Sequence, residues 1–385
     1  MLSIGKLGAE QASYYERQVA HGRDDYYSGK GEAPGSWAGR GAAILGLEGV
    51  VQREQFNAMI AGLDPSDAEL ERSLRDRPGT PKVVGFDLTF SAPKSVSVEF
   101  ATQDPETSAQ LIAAHESAVA AALAYVEDEA IRVRRGHAGA EVQPGDGVVA
   151  AAYRHRMSRS LDPQLHTHVV CANIARGPDG RWTALDARPI YQHARTAGFL
   201  YQAHLRAEVR DRLGWEWGAV SNGAAELAHV GPELVSEFSR RRHEITDAAE
   251  LVIADHEARH GPLSDDARAA MLADLMSGPR AQHLALSTRE RKHFNDEHTW
   301  GDEVSARASE RGHDQAARRT AVDAGRARLA AGAPMLGDPG ELQTLADRLA
   351  GPGGDADGLD EWSAGAAPRA VDARAQALQR RAHLA

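Results

Sequence analysis

Hydrophobic and polar positions alternate with a period of two along several short stretches of the chain and with a helical period along others. Residues 83–90, Val83-Val84-Gly85-Phe86-Asp87-Leu88-Thr89-Phe90, read as a strand, and Ser95-Val96-Ser97-Val98-Glu99-Phe100 alternates strictly and predicts a second one after a turn at Ala92-Pro93-Lys94. The run Val148-Val149-Ala150-Ala151-Ala152-Tyr153 predicts a strand that ends near His155. Residues 165–174 predict its neighbour, with Ser158-Arg159-Ser160-Leu161-Asp162-Pro163 supplying turn chemistry between them. Residues 105–129 carry the spacing of a long amphipathic helix with Ile112, Val119, Leu123 and Val126 on its apolar face, and residues 191–213 predict another. A first strand and an acidic, helix-prone stretch at 64–75 precede these. Antiparallel strand pairs alternating with packed helices predict an α+β domain built on an antiparallel sheet.

From about residue 246 the pattern becomes helical and charged, and Gly261-Pro262-Leu263-Ser264 predicts a helix opening at Asp265. From Ser309 onward Ala, Arg, Asp and Gly dominate, with Gly351-Pro352-Gly353-Gly354 as a break. These shifts suggest three segments: a main domain over 1–245, a helical extension over 246–308, and a charged linker or exposed helical tail over 309–385.

The alternation also places chemistry. In Leu165-His166-Thr167-His168 the two histidines fall on one face of the predicted strand, and His155 lies at the end of its predicted neighbour. Three neutral imidazoles leave coordination positions open, as in a catalytic rather than a closed structural metal site. Imidazole donors alone do not choose among Mn, Zn, Ni, Co or a loosely held Mg. Asp87, flanked by Phe86 and Leu88, is a carboxylate in an apolar setting and should be paired. Orienting a metal-bound imidazole, accepting a phenolic proton, or bridging to an arginine would each satisfy it.

Aromatic residues make up only 5% of the chain, yet four of its eight tyrosines stand as two pairs, Tyr14-Tyr15 and Tyr26-Tyr27. A phenol with an ordinary pKa near ~10 needs a cation or a base to become a nucleophile. An aromatic cluster over a small core is the competing reading.

The net charge of −11 is awkward for a partner made of phosphates, so a nucleic-acid function requires charge to be segregated. Basic clusters stand at Arg132-Val133-Arg134-Arg135, Arg240-Arg241-Arg242 and Arg289-Glu290-Arg291-Lys292. Arg154, Arg156 and Arg159 flank the proposed metal site and, with Lys94, are the candidate phosphate contacts. The single cysteine, Cys171, rules out an intramolecular disulfide. Neither a signal peptide nor a long uninterrupted apolar run is evident, which predicts a cytoplasmic protein without membrane insertion. No Gly-x-x-x-x-Gly-Lys-[Ser/Thr] phosphate loop occurs, so ATP hydrolysis is not expected.

The segments Tyr14-Tyr15-Glu16, Asp24-Asp25-Tyr26-Tyr27, Gly85 through Ser97, and His155 through His168 to Asn173 together resemble conjugative relaxases of the TrwC/TraI type, in the HUH endonuclease class. Weaker matches, Trp37-Ala38-Gly39-Arg40-Gly41 and Leu227-Ala228-His229, extend the resemblance over about the first 245 residues. It implies a palm-like antiparallel sheet and a strand-specific DNA nicking and joining activity at a transfer origin through a 5′-phosphotyrosyl intermediate. It implies His155, His166 and His168 as ligands of a divalent ion, with Mg or Mn in use and Zn, Ni or Co as alternatives. Tyr14 would be the first nucleophile, Tyr26 would serve the later transfer, Asp87 would assist, and Tyr15 and Tyr27 would support their neighbours. The interval from Tyr14 to Tyr26 is a few residues longer than the family pattern, and a shifted register would make Tyr15 the attacking residue. The implied partners are single-stranded DNA with an adjacent hairpin, relaxosome accessory proteins, a separate helicase and a coupling protein. Residues 246–308 would form a finger-like cover over the DNA. Two other classes compete: a non-catalytic single-stranded DNA-binding remnant, which would form no covalent adduct, and a histidine-ligated metallohydrolase or oxygenase, which would need no tyrosine.

Overall fold

The computed structural model describes residues 1–8, 33–75, 82–136, 139–158, 160–276, 278–288 and 297–331. Strands β1 (Leu2–Leu7) and β2 (Ser36–Ala38) lead to helices α1 (Arg40–Ile44) and α2 (Arg53–Ala61). Then come β3 (Gly85–Ser91), α3 (Lys94–Thr102), α4 (Pro105–Glu129) and the ribbon of β4 (Arg132–Arg135) with β5 (Glu141–Pro144). The long strands β6 (Ala150–Met157) and β7 (Pro163–Ala172) precede a second ribbon of β8 (Ala175–Arg176) with β9 (Trp182–Thr183). Helices α5 (Ala187–Gln192), α6 (Ala194–Leu213), α7 (Pro232–Glu237), α8 (Arg240–His260), α9 (Asp265–Leu275), α10 (Gly278–Ser287), α11 (Glu297–Glu310) and α12 (Gln315–Ala330) follow.

Five strands pair antiparallel in the order β1-β3-β7-β6-β2, which puts β7 at the centre. Its two faces have different covers because side chains alternate along each strand. Phe86, Leu88 and Phe90 of β3 and Val169 and Cys171 of β7 share one apolar cluster with Leu111 and Ala118 of α4 and Leu200 and Tyr201 of α6. Ala151 and Tyr153 of β6 and Val170 and Ala172 of β7 join Leu7, Phe56 and Met59 in the cluster on the other face, under α2. The expected α+β architecture on an antiparallel sheet is the one observed.

Helix α4 occupies the predicted span. Asp104 caps it by accepting from the Glu106 and Thr107 amides at 3.0 Å, and Pro105 sits where no amide donor is needed. Its apolarity, a mean hydropathy of 1.3 over its most apolar eighteen-residue window, serves the core: Leu111, Ala114, Ala118 and Ala122 are fully buried. Helix α9 opens at Asp265 as expected, capped by Ser264 accepting from the Ala267 amide.

Three local expectations depart from the structure. Residues 95–100 lie in α3, not in a strand, although their alternation mimics one. Buried neighbours on both sides remove any polar face, since Ser95, Ser97 and Glu99 are as buried as Val96 and Val98. The hydroxyls make this tolerable: Ser97 Oγ donates to Pro93 O, and Ser95 Oγ accepts from the Leu227 amide. Residues 64–75 form turns rather than a helix, because Asp64 accepts from Ser66 and ion-pairs with Arg72 while Asp67 accepts from the Glu71 and Arg72 amides. The helix expected over 191–213 is broken at His193 into α5 and α6.

The expected segment boundaries also shift. Helix α8 runs unbroken across residue 245. Its distal half joins α9 and α10 around a small core of its own, Ala249, Ile253, Leu275 and Leu284. The chain then returns to the main body: Trp300, Val304 and Ala308 of α11 belong to the large core. In α12, within the expected exposed tail, Ala321 O accepts from Trp215 Nε1 at 3.2 Å. Residues 332–385 lie outside the described residues.

A buried carboxylate helps to fix this return. Glu99 accepts from His229 Nε2 at 2.9 Å and from Gln103 Nε2 at 2.6 Å, with His313 Nε2 at 3.2 Å. Burial alone would raise its pKa, but the bonds from His229 and His313 overcome this and hold it down to about 2. Because the folded value lies below the ordinary carboxylate value, the stabilisation is complete above about pH 4.5 and is lost as the pH falls toward 2. Glu99→Gln is expected to flatten that part of the stability profile, measured by urea unfolding from about pH 5 down to about pH 3.

Candidate metal centre

The metal-ligand candidates come together at the middle of the sheet. β6 and β7 pair with His155 opposite His166, and β3 and β7 pair with Thr89 opposite His168. The period of two therefore gathers His155, His166, His168, Asp87 and Thr89 on the face that carries Tyr153 and Val170. One nitrogen from each histidine lies within 4.8 Å of the other two, and the ring centroids are 4.9–5.1 Å apart. His155 and His166 are buried and His168 is partly so, hence the rings are held rather than sampling solvent.

Hydrogen bonding selects the ligating nitrogens. Gln164 O, 2.7 Å from His166 Nδ1, can only accept, so Nδ1 carries the proton and Nε2 offers its lone pair. The Asp87 carboxylate makes the same selection at His168, with oxygens 2.9 and 3.0 Å from Nδ1. Thr89 Oγ1 donates to Asp87 Oδ1 at 3.1 Å and lies 3.0 Å from the same His168 nitrogen, steadying the pair. Three clustered nitrogen donors, two of them oriented, with an outer carboxylate fit a divalent ion with coordination positions left for another ligand. The Asp87–His168 contact has the geometry that orienting an imidazole requires. Asp87→Asn keeps an acceptor but removes the charge, and about a 10–100-fold loss of metal affinity is expected from calorimetric titration with Mn²⁺.

Behind the ligands is a group that sequence reading missed. Thr167, between His166 and His168, points to the helix face, where its hydroxyl meets His115 Nε2 at 2.8 Å; His115 Nδ1 meets Tyr201 Oη at 2.7 Å. Burial, with His166 and Arg154 nearby, pushes His115 down to about 3, so it is neutral at neutral pH. A lone histidine in an Ala-rich helix gave little sign of this role.

The expected phosphate contacts are engaged elsewhere. Arg154 lies opposite Thr167, on the helix face, and ion-pairs with Glu116 of α4; alternation turns it away from His155. Arg156 sits at the irregularity in the β6–β7 ladder, with its guanidinium 5.5 Å over the Trp300 ring. Lys94 begins α3 rather than occupying an exposed turn, and its ammonium donates to Pro163 O at 2.7 Å. Burial lowers it to about 8, against the opposing charges of Asp162 and Glu226. Arg159 and the tyrosines Tyr14, Tyr15, Tyr26 and Tyr27 lie outside the described residues.

The motif Trp37-Ala38-Gly39-Arg40-Gly41 closes the sheet edge on β6, at the end of that strand away from His155. Gly39 has φ 86°, and a Cβ there would collide with Val148 O; one on Gly41 would lie 2.6 Å from the Val148 carbonyl carbon. Only glycines let α1 begin this close to the strand backbone.

A three-histidine cluster on an antiparallel sheet backed by two long helices supplies the donor set of a candidate catalytic metal site. The chain belongs to the TrwC relaxase family, whose profile matches residues 8–311. A metal-bound structure of the conjugative relaxase TrwC with OriT DNA superposes with a TM-score of 0.65 at 31% identity, covering 82% of this chain and 99% of that one. A copper-bound TrwC–OriT structure gives 0.64 at 31% identity, with the same coverage. The chain is also 33% identical over 336 residues to the multifunctional conjugation protein TraI of Escherichia coli. The TraI of strain K12 is 35% identical over 265 residues. These matches cover 83% and 64% of this chain but only 17% and 14% of the two TraI proteins.

Proposed function

We propose that this chain is a metal-dependent relaxase that nicks and rejoins single-stranded DNA at a transfer origin by tyrosine transesterification. The observation that carries this reading is the triad His155, His166 and His168 with Asp87 behind it, in a chain of a family whose solved members include metal-bound complexes with OriT DNA. His155, His166 and His168 would hold a divalent ion, with Mg or Mn as the working choice. Copper in one relative cautions that three imidazoles accept several ions. When bound, such an ion supplies a positive charge that polarises a non-bridging phosphate oxygen.

The chain's own residues do the rest. Asp87 and Gln164 O fix the tautomers of two ligands before substrate arrives, so no ring has to reorient during the reaction. Tyr14 is assigned the attack: its oxygen forms the new bond to phosphorus, the bond to the 3′ oxygen breaks, and a 5′-phosphotyrosyl linkage results. One phosphodiester replaces another, so the step is close to reversible and needs no ATP. Tyr26 is assigned the later transfer, with Tyr15 and Tyr27 as supporting neighbours. Within the expected segment 246–308, the helices that build the separate small core, the distal half of α8 with α9 and α10, are assigned to the cover over the DNA, and the hairpin, relaxosome proteins, a helicase and a coupling protein complete the expected cytoplasmic setting. Because Arg154 and Lys94 already have partners on the protein, contacts to the DNA backbone at this centre fall to other groups.

The test is denaturing electrophoresis and mass analysis after mixing the chain with single-stranded origin oligonucleotides, with Mn²⁺ and with chelator. Metal-dependent covalent attachment at a tyrosine is expected. Binding of the oligonucleotide with no attachment in either buffer would favour a non-catalytic binding role.

A further inference from the structure

The connection from β6 to β7 carries more anchors than a hairpin turn needs. Asp162 is fully buried there, and its carboxylate accepts from Arg240 N and Arg240 Nε, both at 2.8 Å, with an Arg307 guanidinium nitrogen at 3.4 Å. The Arg240 guanidinium also donates to Ser160 O at 2.6 Å, and Ser160 Oγ donates to Glu244 of α8 at 3.0 Å. Trp300 of α11 donates from Nε1 to Leu161 O at 2.9 Å. Leu161 has φ 59°, a left-handed conformation that a residue other than glycine keeps only where the surroundings enforce it.

The anchors matter because the ladder is broken beside the ligands. His155 pairs with His166 and Met157 pairs with Pro163, but the register shifts between those pairs. The ladder runs unbroken from the Ala150–Cys171 pair to the His155–His166 pair, and the bulge separates it from the pairing next to the turn. A slip of one residue would send His155 to the helix face. At the turn end, beyond the bulge, the bond from Ser158 N to Asp162 O is reinforced by external ones, from Lys94 to Pro163 O and from Arg240 and Arg307 to Asp162.

We propose that Asp162 is a positioning residue for the metal centre, tying the β6–β7 connection to α8 and α11 so that His155 stays in register with His166. The α8 helix, whose distal half builds the separate small core with α9 and α10, is thereby joined through its first residue to the two strands that hold all three ligands. The proposal rests on the metal-centre reading above.

The test uses the intact chain and two probes, Mn²⁺ titration by calorimetry and Cu²⁺ electron paramagnetic resonance. Asp162→Asn and Arg240→Met are expected to weaken Mn²⁺ binding about tenfold or more, the range typical of changes behind a ligand shell, and to alter the Cu²⁺ spectrum. Arg259→Met, near the far end of α8 and paired only locally with Asp255, should leave both unchanged. If Asp162→Asn fails to fold by circular dichroism, Arg240→Met decides, since it keeps the backbone bond and removes only the guanidinium. Folded variants with wild-type Mn²⁺ affinity and Cu²⁺ spectrum would overturn the positioning role. Wild-type protein that binds neither ion would instead overturn the metal-centre reading itself.

Discussion

Replacing His166 with alanine is expected to lower Mn²⁺ affinity by at least about 100-fold and DNA cleavage by about 10²–10³-fold at fixed metal. Its ring is largely buried and anchored by Gln164 O, so alanine removes a donor that is held in a fixed direction. His168→Ala should be at least as damaging, because it also leaves the Asp87 carboxylate without its imidazole partner. Cleavage at two metal concentrations separates the effects: lost affinity is partly restored by excess Mn²⁺, whereas a lost chemical contribution is not. Undiminished cleavage by His166→Ala in chelated buffer would remove the metal centre from the reaction.

Tyr14→Phe is expected to abolish covalent capture of an origin oligonucleotide, a loss on the order of 10⁴-fold or more as for removal of a nucleophile elsewhere. Non-covalent binding should persist, since one hydroxyl is removed and the ring is kept. Peptide mapping of the wild-type adduct provides the independent readout. Attachment at Tyr15 would move the nucleophile by one residue, and attachment at Tyr26 in the variant would show that the second pair can perform the first step. Capture by Tyr14→Phe with no such relocation would exclude the assignment.

The centre was legible in the sequence because a strand converts spacing directly into direction. His166 and His168, two apart, had to share a face, and the register that sets His155 opposite His166 brings the third histidine to it. The same rule, applied to Arg154, would have turned it away from the site; proximity in sequence to a ligand is not proximity to the ion. Ser95-Val96-Ser97-Val98 shows where the rule fails, since alternation reports one wet face and α3 has none. The membership of Trp300 and Ala308 in the main core was invisible, because their partners are more than a hundred residues away and their own surroundings are polar and Ala-rich. Asp162 was noticed as turn chemistry, but its role depends on Arg240 and Arg307, which no local pattern connects to it.

Cys171 sits on the helix face of β7, fully enclosed, with burial pushing its thiol well above the ordinary range. Thiol reagents act through the thiolate, so this sole native cysteine is chemically silent under mild conditions. A cysteine introduced on the exposed side of α8, at Leu251 for example, would then react alone. The protein thus carries its own clean background for a spin label or fluorophore, and the distance from such a probe to a paramagnetic ion at the histidines would report directly how the outer helices sit while DNA is engaged.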